Sequence, residues 1–143
     1  MYKKILESYL ARQYTIKNET DLLFVTYLSV HHVADKSYDI RTKVLKSSTP
    51  AIRDCWSMLY EHRVYSLKRI NNNNIENIYE VIERDLKYLK VALGNVSRVY
   101  EITKFSDDLD TDELYHMSHR EKLNLEVLIR EIEIDIHKLK SRV

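Results

Sequence analysis

IENIYEVIERDLKYLKVALGNVSRVY, residues 75–100, decides the fold. Ile75, Tyr79, Ile82, Leu86, Leu89, Leu93, Val96 and Tyr100 recur at alternating spacings of four and three, an unbroken heptad pattern over nearly four heptads. That period belongs to an amphipathic helix with one apolar seam. Only Gly94 weakens it, at about 1 kcal/mol relative to alanine. A helix of about 30 residues spans roughly 45 Å.

Downstream, the polar stretch Ser106 to Asp110 breaks the pattern. Asp110 and Glu113 then form a capping-box-like pair that opens a second long helix. It runs to about Lys140 with Leu114, Met117, Leu125, Leu128, Ile132, Ile136 and Leu139 as its main stripe. Ile132-Glu133-Ile134-Asp135-Ile136 alternates like a strand, but the Glu/Lys/Leu content and the helical spacing on both sides decide for helix. Two such helices joined by a short loop form an antiparallel hairpin. Val127, Ile129 and Ile134 widen the stripe beyond what one partner helix buries. The surplus predicts a self-association surface.

Upstream, shorter segments carry the same period. Ile5, Leu6, Tyr9 and Leu10 place a helix over Tyr2–Gln13. Asn18 or Thr20 offers an N-cap for a second, apolar on most sides, running to about Ala34. A strand over Phe24–Val30 competes, and no turn chemistry supplies it a partner. A third helix covers about Tyr38–Lys46. Ser47-Ser48-Thr49-Pro50 marks a boundary, with Pro50 suited to the first helical position and Thr49 to the cap. A fourth helix then runs to about Ile70 and ends at the four asparagines 71–74. The expected architecture is all-α: an N-terminal four-helix cluster (1–70) followed by a long antiparallel hairpin (75–142), about six helices in one domain.

Composition agrees. The chain of 143 residues has one glycine and one proline, where an average chain holds roughly ten and seven. Sheet proteins need far more turn residues. The same scarcity removes phosphate-cradling loops and nucleophile elbows. Apolar residues make up 44% and charged residues 31%, so the chain can build a soluble core. No run approaches the roughly 20 apolar residues of a membrane span. MYKKILESYL has neither an h-region nor a cleavage site, so no signal peptide is expected. The lone Cys55 cannot pair internally, which fits a reducing cytoplasm, bacterial or of an infected cell. The richness in Ile, Asn, Lys and Tyr suggests an AT-rich genome such as a phage or large DNA virus.

Net charge is +1, but it is unevenly spread. Residues 36–71 hold eight Lys/Arg against three acids, and residues 106–143 hold six against ten. The two regions can face each other, or Lys36, Arg41, Lys43, Lys46, Arg53, Arg63, Lys68 and Arg69 can meet nucleic acid. Eleven tyrosines would allow base stacking, though Tyr79 and Tyr100 sit at seam positions.

Four constellations could carry chemistry. Glu113, His116 and His119 share one helix face at metal-ligand spacing; a polar first turn of a long helix explains them better, and no metal is expected. Asp108, Asp110 and Asp112 open like a calcium loop, but Glu113 and His119 stand where glycine and glutamate are needed. His31-His32 with Asp35 resembles half of a metal-hydrolase pair and lacks the other half. Cys55 and His62 are seven residues apart, roughly 10 Å along a helix, too far for a nucleophile and its base. The sequence therefore predicts a non-enzymatic helical interaction and assembly protein with no cofactor, a protein partner or second copy, and no membrane contact. The alternative is a nucleic-acid-binding accessory protein working through residues 36–71.

Overall fold

The computed structural model describes residues 2–71, 77–105 and 111–142. Every regular element among them is helical: α1 (Tyr2–Leu10), α2 (Glu19–Leu45), α3 (Pro50–Arg53), α4 (Trp56–Asn71), α5 (Ile78–Lys104) and α6 (Asp112–Lys140). Five have nine residues or more, and α3 is a single turn. No helix among the described residues is long and apolar enough to cross a membrane.

Local chemistry sets the ends. α1 stops at Leu10, three residues short of the expected Gln13, because Arg12 takes a left-handed φ of 61°. Gln13 N–H then reaches back to the Ser8 carbonyl at 2.7 Å, satisfying an orphan acceptor of the last turn. Glycine normally fills this position, and here arginine does, at a cost of about 1 kcal/mol. Asn18, not Thr20, caps α2: its Oδ1 accepts from Asp21 N–H at 3.0 Å. Asn77 does the same for α5, accepting from Glu80 N–H at 3.2 Å. α6 begins after Thr111; Asp110 of the expected capping box lies outside the described residues, as do Ile75, the asparagines 72–74 and Asp108.

Two boundaries differ from expectation. The helices expected over 20–34 and 38–46 are one continuous helix, α2. Asp35-Lys36-Ser37 reads as a polar joint, but nothing there removes an N–H or needs a positive φ, so the ladder continues. The helix expected over 50–70 is interrupted at Asp54 and Cys55. Cys55 N–H bonds the Ile52 carbonyl at 3.0 Å, an i to i+3 tightening that turns both Ile52 and Cys55 inward. Pro50 opens α3 as expected, while the Thr49 side chain makes no capping bond.

α2 is the central element. It packs against every other helix, which is why it buries residues on most sides, including Leu22, Val25, Val30, Val33, Ile40 and Val44. α5 and α6 run antiparallel: Lys140 meets Glu83 at 2.6 Å, Lys90 meets Glu133 at 3.6 Å, and Tyr100 stacks on Tyr115. α2 and α4 are also antiparallel, with Ser37 beside His62 and His31 beside Ser66. Tyr9 ties α1 to α6 by donating to Asp135 at 2.5 Å. One core cluster draws on all of these helices, so the two halves of the chain share an interior.

Candidate functional site

The eight cations of the basic segment do not form one face. Arg69 Nε donates to both carboxylate oxygens of Asp85 at 3.1 Å, with its guanidinium over the Tyr27 ring. Arg41 is buried between the rings of Tyr38 and Tyr60, 5.2 and 5.1 Å from their centroids. Lys43 Nζ lies 3.1 Å from Glu113 Oε1, so part of the segment faces the acidic last helix. Lys36 lines a cleft with Glu121, described below. Lys46, Arg53, Arg63 and Lys68 are exposed.

Glu113, His116 and His119 are not gathered either. Glu113 faces Lys43, His116 Nε2 lies 3.5 Å from Asp112, and His119 stacks on Tyr100 with centroids 4.9 Å apart. No group of three or more metal-ligating residues exists among the described residues. Of the self-association set, Ile129 is a core residue at 6% exposure. Val127 and Ile134 are each 36% exposed, and Leu123 joins them at 47%. These three lie on one side of α6, at spacings of four and seven residues. Ile134 borders a shallow apolar groove with Leu93 and Ile129.

What sequence reasoning missed is the buried polar chemistry. Asp85 is fully buried, yet it accepts from Thr26 Oγ1 at 2.9 Å and Tyr65 Oη at 2.8 Å besides Arg69. Burial, and then the Asp85 charge, hold the Tyr65 phenol well above its ordinary range. Nearby, Ser37 Oγ, the His62 ring and Asn95 form a chain: Oγ to Nδ1 is 2.5 Å, and Nε2 to Asn95 Nδ2 is 2.9 Å. The connectivity resembles a hydroxyl–imidazole–amide catalytic triad. The polarity is wrong for one. Asn95 Nδ2 also donates to the Met58 carbonyl at 3.4 Å, so the amide is a donor to Nε2. Nδ1 of the neutral ring must then carry the proton and donate to Ser37. A general base has to accept from its nucleophile. Burial pushes His62 down to about 4, and both Ser37 and His62 are sealed from solvent. The chain holds α2, α4 and α5 together. His31 belongs to the same seam: its Nδ1 meets Ser66 Oγ at 2.9 Å and its ring stands edge-on to Tyr27. Cys55 is buried, and burial raises its thiol pKa.

One buried carboxyl without a full set of partners borders a cleft. Glu121 of α6 is 5% exposed, and its Oε1 has no hydrogen-bond partner. It lines a cleft of about 370 Å³ between α1, α2 and α6. Leu6, Leu125 and Leu128 are buried at its floor, and Lys3, Glu7 and Arg120 stand at its mouth. Burial pushes the Glu121 carboxyl up to about 7, against a lowering influence from Lys36. His32 also lines the cleft; burial, then Lys36 and Lys3, lower its pKa.

No protein-family model, curated protein or solved structure matches the chain. Function is therefore argued from these surfaces and groups alone.

Proposed function

We propose that the protein is a non-enzymatic interaction protein that self-associates through the outer face of α6. One observation carries this reading: Leu123, Val127 and Ile134 form an exposed apolar line along a 29-residue helix, beside a groove that Leu93 and Ile129 floor. The proposed occupant is a second copy of the chain. The groove's rim carries Glu126 and Glu133 with Arg130 and Lys138, two charges of each sign. A face of one sign would repel its own copy, whereas this one can meet itself across a two-fold axis. In this reading α5 and α6 act as the assembly hairpin and α1–α4 as its supporting cluster. The buried free thiol of Cys55 is compatible with work in a reducing cytoplasm, in a bacterium or an infected cell.

The strength follows from area. Fully burying one aliphatic side chain contributes roughly 1.5–3 kcal/mol, and these are already half buried. Three from each copy supply roughly 6 kcal/mol, close to the lower bound of what association costs. The apolar line alone barely exceeds that cost, so the groove and the paired rim charges must add to it; the dimer should be weak, with a dissociation constant of about 0.1 mM, roughly 5.5 kcal/mol net. Sedimentation velocity across a concentration series tests it. The expected result is a concentration-dependent shift that Val127→Glu with Ile134→Glu abolishes. A strict monomer at high micromolar concentration removes the proposal.

A second reading has its own support. Tyr38, Arg41, Tyr60 and Trp56 form a continuous stack, with Tyr38 and Tyr60 exposed. These exposed rings, with the exposed Lys46, Arg53 and Arg63 of the same segment, would hold single-stranded nucleic acid by stacking and phosphate contact. That binding would weaken steeply with salt and vanish on reversing those three charges. An oligonucleotide that fails to bind at low salt ends this reading.

A further inference from the structure

We propose that the cleft between α1, α2 and α6 binds a small organic carboxylate with an apolar body, held by Glu121 at its inner end. Three observations converge on this ligand. The first is Glu121, whose Oε1 is buried without a hydrogen-bond partner in a residue that lines the cleft. Buried polar atoms are nearly always paired, so an orphan on a cleft-lining carboxyl is one that a small side-chain rotation lets a ligand atom complete. The second is shape and lining. Leu6, Leu125 and Leu128 offer an aliphatic floor in a volume within the range of small-molecule sites.

The third is charge. From α1 the cleft receives Lys3 and Glu7; from α2, His32 and Lys36; from α6, Arg120 and Glu121 itself. Burial and the two lysines favour neutral His32. Three cations thus face one fixed carboxylate, Glu7, and the field favours an anion over an amine. Glu121 fits an anion only in its protonated form, in which its O–H donates to the ligand carboxylate. Its raised pKa makes that form accessible near neutral pH. Binding therefore takes up a proton on Glu121 wherever that group was ionised beforehand. No bond to the ligand forms or breaks.

Octanoate is the probe and octylamine its charge-inverted control, both measured by calorimetry and thermal shift on the full chain. Because only the protonated protein binds, octanoate should bind about tenfold more weakly at about pH 8 than at about pH 6. Measurements in two buffers of different ionisation enthalpy should show uptake approaching one proton at the higher pH. Glu121→Gln retains a donor, so it should keep the affinity and lose the pH dependence. Lys36→Gln, at the half-buried wall, should weaken octanoate several-fold without altering the fold. Three results each overturn the proposal: no binding at about 5 mM octanoate at the lower pH, octylamine binding as tightly as octanoate, or an unchanged pH dependence in Glu121→Gln.

Discussion

Replacing Arg69 by methionine separates a structural arginine from a nucleic-acid contact. Asp85 lies at 0% exposure between α2, α4 and α5, and Arg69 is its only cationic partner among the described ion pairs. Arg69→Met leaves the carboxylate with the Thr26 and Tyr65 hydroxyls alone. An uncompensated buried charge of this kind costs about 3–5 kcal/mol. That is a large share of the roughly 5–15 kcal/mol a domain possesses. Adding Asp85→Asn to Arg69→Met neutralises the site: Oδ1 keeps an acceptor for Tyr65, while Thr26 Oγ1 donates to the Leu23 carbonyl and accepts from the new amide. The double variant should then be more stable than Arg69→Met alone by about 2 kcal/mol, the part of that penalty due to the uncompensated charge. Urea unfolding followed by far-ultraviolet circular dichroism reads the wild type and both variants. A loss below about 1 kcal/mol for Arg69→Met would refute the reasoning, since surface ion pairs contribute no more than that. It would also return Arg69 to the list of available cations.

Two further outcomes follow from groups described above. The folded protein holds the Glu121 proton more tightly than the unfolded chain, because the carboxyl is raised from 4.5 to about 7. Stability from this group is therefore greatest below about pH 4.5 and is lost as pH rises towards 7, by about 3 kcal/mol in all. Glu121→Gln should unfold at a higher urea concentration than wild type above pH 7, with the gap closing towards pH 4.5; a gap that does not change with pH would contradict the burial argument. Gly94 is exposed inside α5, and a methyl group there meets nothing within 4 Å. Gly94→Ala should stabilise by about 1 kcal/mol, read as a higher unfolding midpoint. A loss instead would mean that the bare helix face is covered in solution.

How much of this was legible depends on which atoms decide each feature. The seam of α5 was readable because Ile82, Leu86, Leu89 and Val96 are buried by their own repeat, whatever they pack against. The break expected near Ser37 was misread because a polar residue looks like a joint. Its hydroxyl is instead buried against His62, 25 residues away, a partner no local pattern supplies. The expected metal and basic residues were chosen for their side-chain chemistry. Most lie off the apolar seams and are exposed or occupied by nearby partners.

The informative positions were polar residues on a seam. Leu114, Ser118, Glu121, Leu125, Leu128 and Ile132 repeat at spacings of four and three, so Glu121 stands where a leucine belongs. Asp85 is likewise three residues after Ile82 and four before Leu89. An acid placed on a buried face carries a desolvation cost that something must offset. The spacing alone locates both acids. It does not distinguish them, because what offsets the cost comes from other helices. Thr26, Tyr65 and Arg69 converge on Asp85 and make it part of the scaffold. Around Glu121 the neighbouring helices converge on a cleft instead. The same signal thus marks a structural ion pair in one place and a candidate ligand site in the other, and only the three-dimensional packing separates them.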